Sequence, residues 1–388
     1  MSSVLEPATA RPPATTAAEP AAEPEVKWDG LFPASLRAVM LNYCCAAALL
    51  LLGFQFYTTV PGLLEPAWAD AVAWLKGHWP EAASLPLYKN TFAATNAAPT
   101  LYYALIVYLV ALPLYYATFP DTYRVKSRLF WEAVLSLWRR RPTPKEAVAI
   151  RAVAVKAFFM PLMLVWLVPA VIALVKVLDD QPDLARYAAE KGFLGFYYPV
   201  ALTLIIIVDL SCFTVAYGVE HPRLGNEIKS VEPTFLGWAV ALMCYPPFAL
   251  ISAWALGWYE RDDPLPAAPV LTGCLMLLLM GTYAAASVAL GLRGGNLVHR
   301  GVVDRWPYSV IRHPAYLCKN LFWCTGAVPA LIHVWGQPYP MVCVVLSSAA
   351  WFGVYTLRAL TEERHLMRDP AYQEYCKRVK YRYIPGVW

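Results

Sequence analysis

The sequence predicts an all-α fold, a polytopic transmembrane helical bundle of about eight spans ending in a helical hairpin and a polar tail. Of its 388 residues, 59% are hydrophobic and only 15% are charged, whereas a soluble globular domain carries roughly 25% charged residues. The apolar residues fall in runs of about 17 to 25, long enough to cross a hydrocarbon layer as helices, which satisfy their own backbone polar groups there. Lys and Arg crowd into alternate loops, the bias that separates cytoplasmic from external segments.

Residues 1–32 are rich in Ala, Pro, Thr and Glu, lack the basic start and apolar core of a secretory signal, and read as a disordered tail. The predicted spans follow as Ala38 to Val60, Thr100 to Phe119, Phe158 to Val177, Phe193 to Val215, Leu236 to Trp258, Val270 to Leu290, Tyr316 to Ile332 and Met341 to Leu360. The first six make up a membrane domain over residues 33–290, and a distinct C-terminal region covers 291–388. The fifth span is broken by Tyr245, Pro246 and Pro247. The seventh begins with polar Lys319 and Asn320 and ends at a Pro-rich turn.

Nine basic residues lie between the second and third spans, from Arg124 to Lys156, while Pro61 to Pro99 holds only Lys76 and Lys89. The basic loop is therefore cytoplasmic, and its stretch near 124–151 includes an amphipathic segment, Arg128 to Arg141, that either meets anionic lipid or is a surface helix without lipid contact. Counting outward, the acidic Tyr259 to Ala267 loop falls outside. The Arg293 to Arg312 loop and the tail from Thr361 fall inside, so both termini are cytoplasmic, in a bacterial inner membrane or the endoplasmic reticulum. Leu64 to Leu75 reads as a short interfacial helix anchored by Trp68 and Trp74.

Several chemistries find no support. The nine cysteines are scattered without CxxC or zinc spacing and read as small, reduced, buried side chains. The six histidines form no HxxxH or HExxH pattern, so no metal is expected. Gly291 to Asn296 is neither a dinucleotide fingerprint nor a Walker loop, and no serine sits in GxSxG. The net charge of +5 is modest and sets membrane orientation; no nucleic-acid partner is implied. Asp209, mid-way along the fourth span, is either a binding or proton-accepting group or a carboxyl held by neighbours.

Polar residues concentrate at both feet of the last hairpin. Tyr308, Arg312, His313, Pro314 and Tyr316 precede and open the seventh span, and Glu362 and Glu363 close the eighth. Because one span leaves and the next returns, these groups meet at the cytoplasmic interface. Asp369-Pro370 then starts a short helix whose Tyr372, Tyr375, Cys376 and Val379 form one stripe, suited to lid the pocket or to anchor at the membrane surface.

Arg312-His313-Pro314-Ala315-Tyr316, followed by Glu362-Glu363 and by Tyr372, Tyr375, Val379, Arg382 and Pro385, resembles the C-terminal signature of the isoprenylcysteine carboxyl methyltransferase and phospholipid methyltransferase superfamily over about Gly291 to Pro385. The resemblance implies a methyltransferase dependent on S-adenosyl-L-methionine (SAM), its cofactor held by Tyr308, His313, Pro314, Tyr316, Glu362 and Glu363. Arg312 and Arg382 become the catalytic candidates, gripping a carboxylate acceptor. The implied partners are the lipid bilayer and an amphiphilic, lipid-like substrate. The ending Val379 to Gly386 is also similar to the related sterol reductases, which use NADPH. A non-catalytic transport or scaffold protein is the remaining alternative.

Overall fold

The computed structural model describes Trp28 and residues 30–78, 97–179, 183–257 and 264–387. Most of the predicted tail lies outside these residues, as does much of the acidic loop after the fifth span. Helix dominates the described chain. It runs as α1 (Leu36–His78), α2 (Ala97–Ala117), α3 (Lys126–Ser136), α4 (Pro144–Asp179), α5 (Leu184–Gly192), a π turn into α6 (Tyr198–Gly218), α7 (Phe235–Leu242), α8 (Phe248–Leu256), α9 (Pro269–Leu290), α10 (Pro314–His333), α11 (Pro338–Leu366) and α12 (Pro370–Arg378).

Among the described residues five helical stretches are long and apolar enough to cross a membrane, namely Leu36–Tyr57, Pro144–Asp179, Leu184–Gly218, Pro269–Arg293 and Pro338–Leu366, with Leu101–Ala117 a shorter apolar helix. This is fewer than the eight predicted. The predicted fifth span is two short helices, α7 and α8, because Pro246 and Pro247 both lack the N–H a continuing helix needs and their rings clash with the preceding turn. The predicted seventh span is α10, of adequate length but with Lys319, Asn320 and Pro329 within it. Leu64 to Leu75 is a continuation of α1 and not a separate interfacial helix; the side chains of Trp68 and Trp74 lie outside the described residues. None of the nine cysteines is in a disulfide, but only Cys318 is buried, and Cys44, Cys274 and Cys324 are exposed.

Helix ends gather on one side of the bundle through a series of polar ties. Ser35 donates its N–H to Asp121 at 2.7 Å, joining the start of α1 to the end of α2. Lys156 of α4 reaches Glu220, just past α6, at 2.6 Å, and the Asn296 N–H after α9 donates to the Tyr217 hydroxyl oxygen at 2.6 Å. Arg364 at the end of α11 pairs with Glu232 before α7. On the same side, two-residue strands β1 (Ser230–Val231) and β2 (Val298–His299) pair antiparallel. They carry too few residues to show a period in sequence.

Local chemistry explains these joints. Thr143 and Glu146 form a reciprocal capping box at the start of α4, Glu146 accepting the Thr143 N–H at 2.8 Å while Arg140 grips the same carboxylate. Within α4, Pro161 cannot donate to the carbonyl of Ala157, and the Tyr57 hydroxyl of α1 donates to that carbonyl at 2.9 Å instead. The break in one helix thus becomes the tie to another.

Glu220 is the most heavily used carboxylate in these ties. Burial works to raise its pKa, but Lys156, Lys126 and the Ile228 N–H outweigh that and lower it from 4.5 to about 2. A depressed folded pKa means the stabilisation is present above the ordinary value and is lost as pH falls from 4.5 towards about 2. In detergent, melting temperature is expected to fall across that window, and Glu220→Gln should flatten part of the fall. Superimposable pH profiles for the two proteins would disprove the assignment.

Candidate functional site

A cavity of about 140 Å³ opens where the end of α9, the 293–303 segment, the start of α10, the end of α11 and α12 converge. Of the residues singled out in sequence, Tyr308, Arg312, His313, Tyr316 and Glu362 line it, whereas Pro314, Glu363 and Arg382 do not. His313 is the N-cap residue of α10 and Pro314 its first helical residue, where a missing N–H costs nothing. Tyr316, one turn on, stacks against the His313 ring at 5.5 Å and donates its hydroxyl to Glu362 at 2.6 Å.

The two glutamates part company. Successive residues on an α-helix point roughly 100° apart, so Glu362 turns to the cavity while Glu363 turns to the C-terminal tail. Glu363, 5% exposed, is ion-paired with Arg312 at 3.0 Å and accepts from His313 at 3.1 Å and Arg382 at 2.8 Å. Two backbone bonds run beside this cluster, from Arg312 N–H to Tyr381 O and from His313 N–H to Arg382 O. Arg312 also donates to the Lys380 carbonyl at 2.8 Å. The geometry gives Arg312, Arg382 and Glu363 to the joint between the tail and the hairpin.

The far wall holds residues that sequence reasoning passed over. Arg358 of α11 donates to the Asn296 side-chain oxygen, and its guanidinium lies 5.3 to 5.9 Å from the ring centres of Tyr316, Tyr245 and Tyr355. Lys319 sits over Tyr283, Trp323 and Tyr355 at 5.1 to 5.7 Å. Asn296 also donates to the Tyr245 hydroxyl at 3.1 Å, which fixes the kinked segment to the cavity rim. Asp209 stands behind the wall, accepting from Ser287 and, at 3.1 Å, from Tyr283. Both donors line the cavity and Asp209 does not. A lysine three residues after Tyr316 and an arginine four before Glu362 occupy the helix faces of those residues, and that spacing is the signal that could have found them.

The other cations are engaged elsewhere. Arg300 is buried and donates to the Ala216 and Leu292 carbonyls, and Arg293 to those of Gly225 and Val302. Of the predicted lid stripe on α12, Tyr372 and Tyr375 line the cavity and Cys376 and Val379 do not; the two tyrosines are buried against Val302 and Leu366, and the Tyr375 hydroxyl donates to the Tyr308 carbonyl at 2.8 Å. Burial raises the pKa of Tyr308, Tyr372 and Tyr375, so each remains a phenol at neutral pH. His299 ties α12 down further through Asp369 at 2.6 Å.

Comparison with known protein families, with curated proteins and with solved structures finds no match to this chain.

Proposed function

We propose that this chain is an integral membrane methyltransferase that uses SAM and acts on a membrane-resident amphiphile, isoprenylcysteine carboxylate-like or phospholipid-like. The observation that carries the reading is the Glu362 carboxylate, oriented by the Tyr316 hydroxyl at 2.6 Å and presented to a tyrosine-lined cavity at the start of the Arg-His-Pro-x-Tyr helix. The donor set suits the cofactor: a carboxylate accepts from ribose hydroxyls or an ammonium, aromatic faces attract a sulfonium, and a guanidinium binds a carboxylate. SAM supplies an activated methyl group, so the protein needs no nucleophile of its own. Glu362 and the tyrosine faces orient the donor, the Arg358 guanidinium holds the donor's carboxylate, Lys319 supplies positive charge for an anionic acceptor, and placement of the two contributes most of the rate.

At about 140 Å³ the cavity is smaller than the roughly 300 Å³ at which ligand pockets begin. Admission of SAM therefore requires α12 to lift, with Tyr372 and Tyr375 withdrawing from the cavity. The same membrane reading makes the eight helical passes alternate. α1, α2, α4, α6, the α7–α8 pair, α9, α10 and α11 each have one end among the polar ties, and that end is cytoplasmic by its Lys and Arg content. On a cysteine-depleted background, single cysteines replacing Asp304 and Gln373 are expected to resist an impermeant thiol reagent applied outside; labelling of either refutes this layout.

A second reading, an NADPH-dependent reductase, is favoured by one observation: Arg293, Arg300, Arg312, Lys319 and Arg358 line the cavity against a single lining carboxylate, Glu362. Most of these cations are already bonded to carbonyls or to Glu363, which weighs against their gripping phosphates. Thermal shift of the detergent-purified protein with SAM, S-adenosylhomocysteine and NADPH separates the readings. SAM and its product are expected to raise the melting temperature and to slow amide exchange over α12. A shift with NADPH alone transfers the site to the reductase chemistry, and no shift with any of them ends both.

A further inference from the structure

A second cavity, of about 620 Å³, lies between α1, α2, α4 and the end of α6. Its shaft is apolar, walled by Leu50, Phe54, Leu105, Leu112, Phe158 and Leu164 among others. On α2 the lining runs from Leu101 to Tyr116, with Phe119 just past the helix. At 1.5 Å rise per residue this is roughly 23 Å, about three-quarters of the roughly 30 Å of a bilayer's hydrocarbon layer. Gly53 opens the wall from the α1 side, for a Cβ built there meets nothing within 4 Å.

The shaft carries charged groups at one end only, the end that carries the bundle's polar ties. Lys126, Lys156 and Glu220 line it there, with the phenols of Tyr115 and Tyr123. Lys156 lies 2.6 Å and Lys126 3.4 Å from the same Glu220 carboxylate, and Lys126 also reaches Glu227 at 3.2 Å. Glu227 does not line the cavity, and its side chain is 40% exposed. Among the residues that line the polar end, two ammonium groups face one carboxylate, Glu220. The Tyr115 hydroxyl is spent on the Glu220 carbonyl and that of Tyr123 on Glu227.

We infer that this cavity binds one long-chain lipid with an anionic head, the hydrocarbon chain in the shaft and the head at Lys126 and Lys156. The chemistry matches at both ends. An apolar shaft that spans most of the hydrocarbon layer accepts an extended chain, and two lysines at headgroup depth accept the negative charge that such a chain carries at the interface. Tyr217 lines this cavity with its ring while its hydroxyl oxygen accepts the Asn296 N–H at the rim of the other one. The two cavities are thus neighbours across one side chain, but the lipid site does not depend on the methyltransferase reading.

The test uses the full chain in neutral nanodiscs and two probes with the same tail, palmitic acid and hexadecanol, each carrying a terminal diazirine. After photolysis, the acid is expected to mark peptides of α1, α2 and α4 around Tyr57, Leu101 and Leu164, at the end of the shaft away from the lysines. The alcohol should label about tenfold less, the loss of one charge-assisted contact. Lys126→Gln should lower labelling by the acid about as much and leave the alcohol unchanged. Gly53→Trp fills the shaft and should abolish labelling by both; if it fails to fold, Ala104→Trp on the facing helix serves the same purpose. Equal labelling by acid and alcohol, or undiminished labelling of a folded shaft-filled variant, overturns the site.

Discussion

Glu363→Ala is expected to destabilise the protein by about 3 to 5 kcal/mol, the usual consequence of removing one partner from a buried ion cluster. Three cationic or potentially cationic groups, Arg312, His313 and Arg382, converge on this one carboxylate. Without it, Arg312 and His313 are left close together, at 12% and 5% side-chain exposure, with no counter-charge. The tail from Lys380 to Arg382 would lose its anchor to the start of α10 as well. Unfolding of the detergent-purified protein, followed by heat or denaturant, measures the effect directly. Glu363→Gln should fall between wild type and Glu363→Ala, since it keeps a carbonyl acceptor but no charge. A Glu363→Ala protein that is as stable as wild type and has lost only SAM binding would return Glu363 to the role its place in the family signature implies.

How the paired glutamates divide was legible in principle. The sequence places them side by side on one helix, and the resemblance to a methyltransferase signature assigns both to a cofactor. Adjacent helical residues point roughly 100° apart, so a shared role for the two glutamates was never required by the helix. The hairpin geometry that brings His313 near the glutamates was legible too, from the return of one span on another. Hydropathy located the long helices, and the Pro246-Pro247 pair marked where one of them breaks. It could not tell a continuous crossing from two short helices, because an averaging window spans the break. Arg358 and Lys319 were hidden for a related reason: each is one cation within a strongly apolar run, and only the packing of tyrosines from α8's approach, α9, α10 and α11 around them shows what surrounds the charge. The β1–β2 pair, two residues on each strand, has no periodicity to read.

Arg358→Leu and Glu362→Gln are each expected to weaken SAM binding about tenfold to a hundredfold, ~1.4 to 2.8 kcal/mol, while the protein stays folded. The two changes test opposite charges on one cavity. Glu362 is half-buried, and its bond from Tyr316 survives conversion to an amide, since the glutamine oxygen still accepts. What the amide loses is the negative charge offered to ribose hydroxyls or an ammonium. Arg358 is buried within three tyrosine rings and has Asn296 as its hydrogen-bonded side-chain partner. Leucine retains the apolar contact and removes the cation; Arg358→Lys keeps the charge but not the planar fork, and should recover only part of the affinity. Equilibrium binding of SAM and S-adenosylhomocysteine to folded protein reads all three. If Arg358 instead positions the acceptor, Arg358→Leu would leave SAM affinity intact and raise the acceptor KM. That split is measured by following transfer of labelled methyl groups into a lipid extract. Wild-type binding and wild-type transfer in both Arg358→Leu and Glu362→Gln would remove this cavity as the cofactor site.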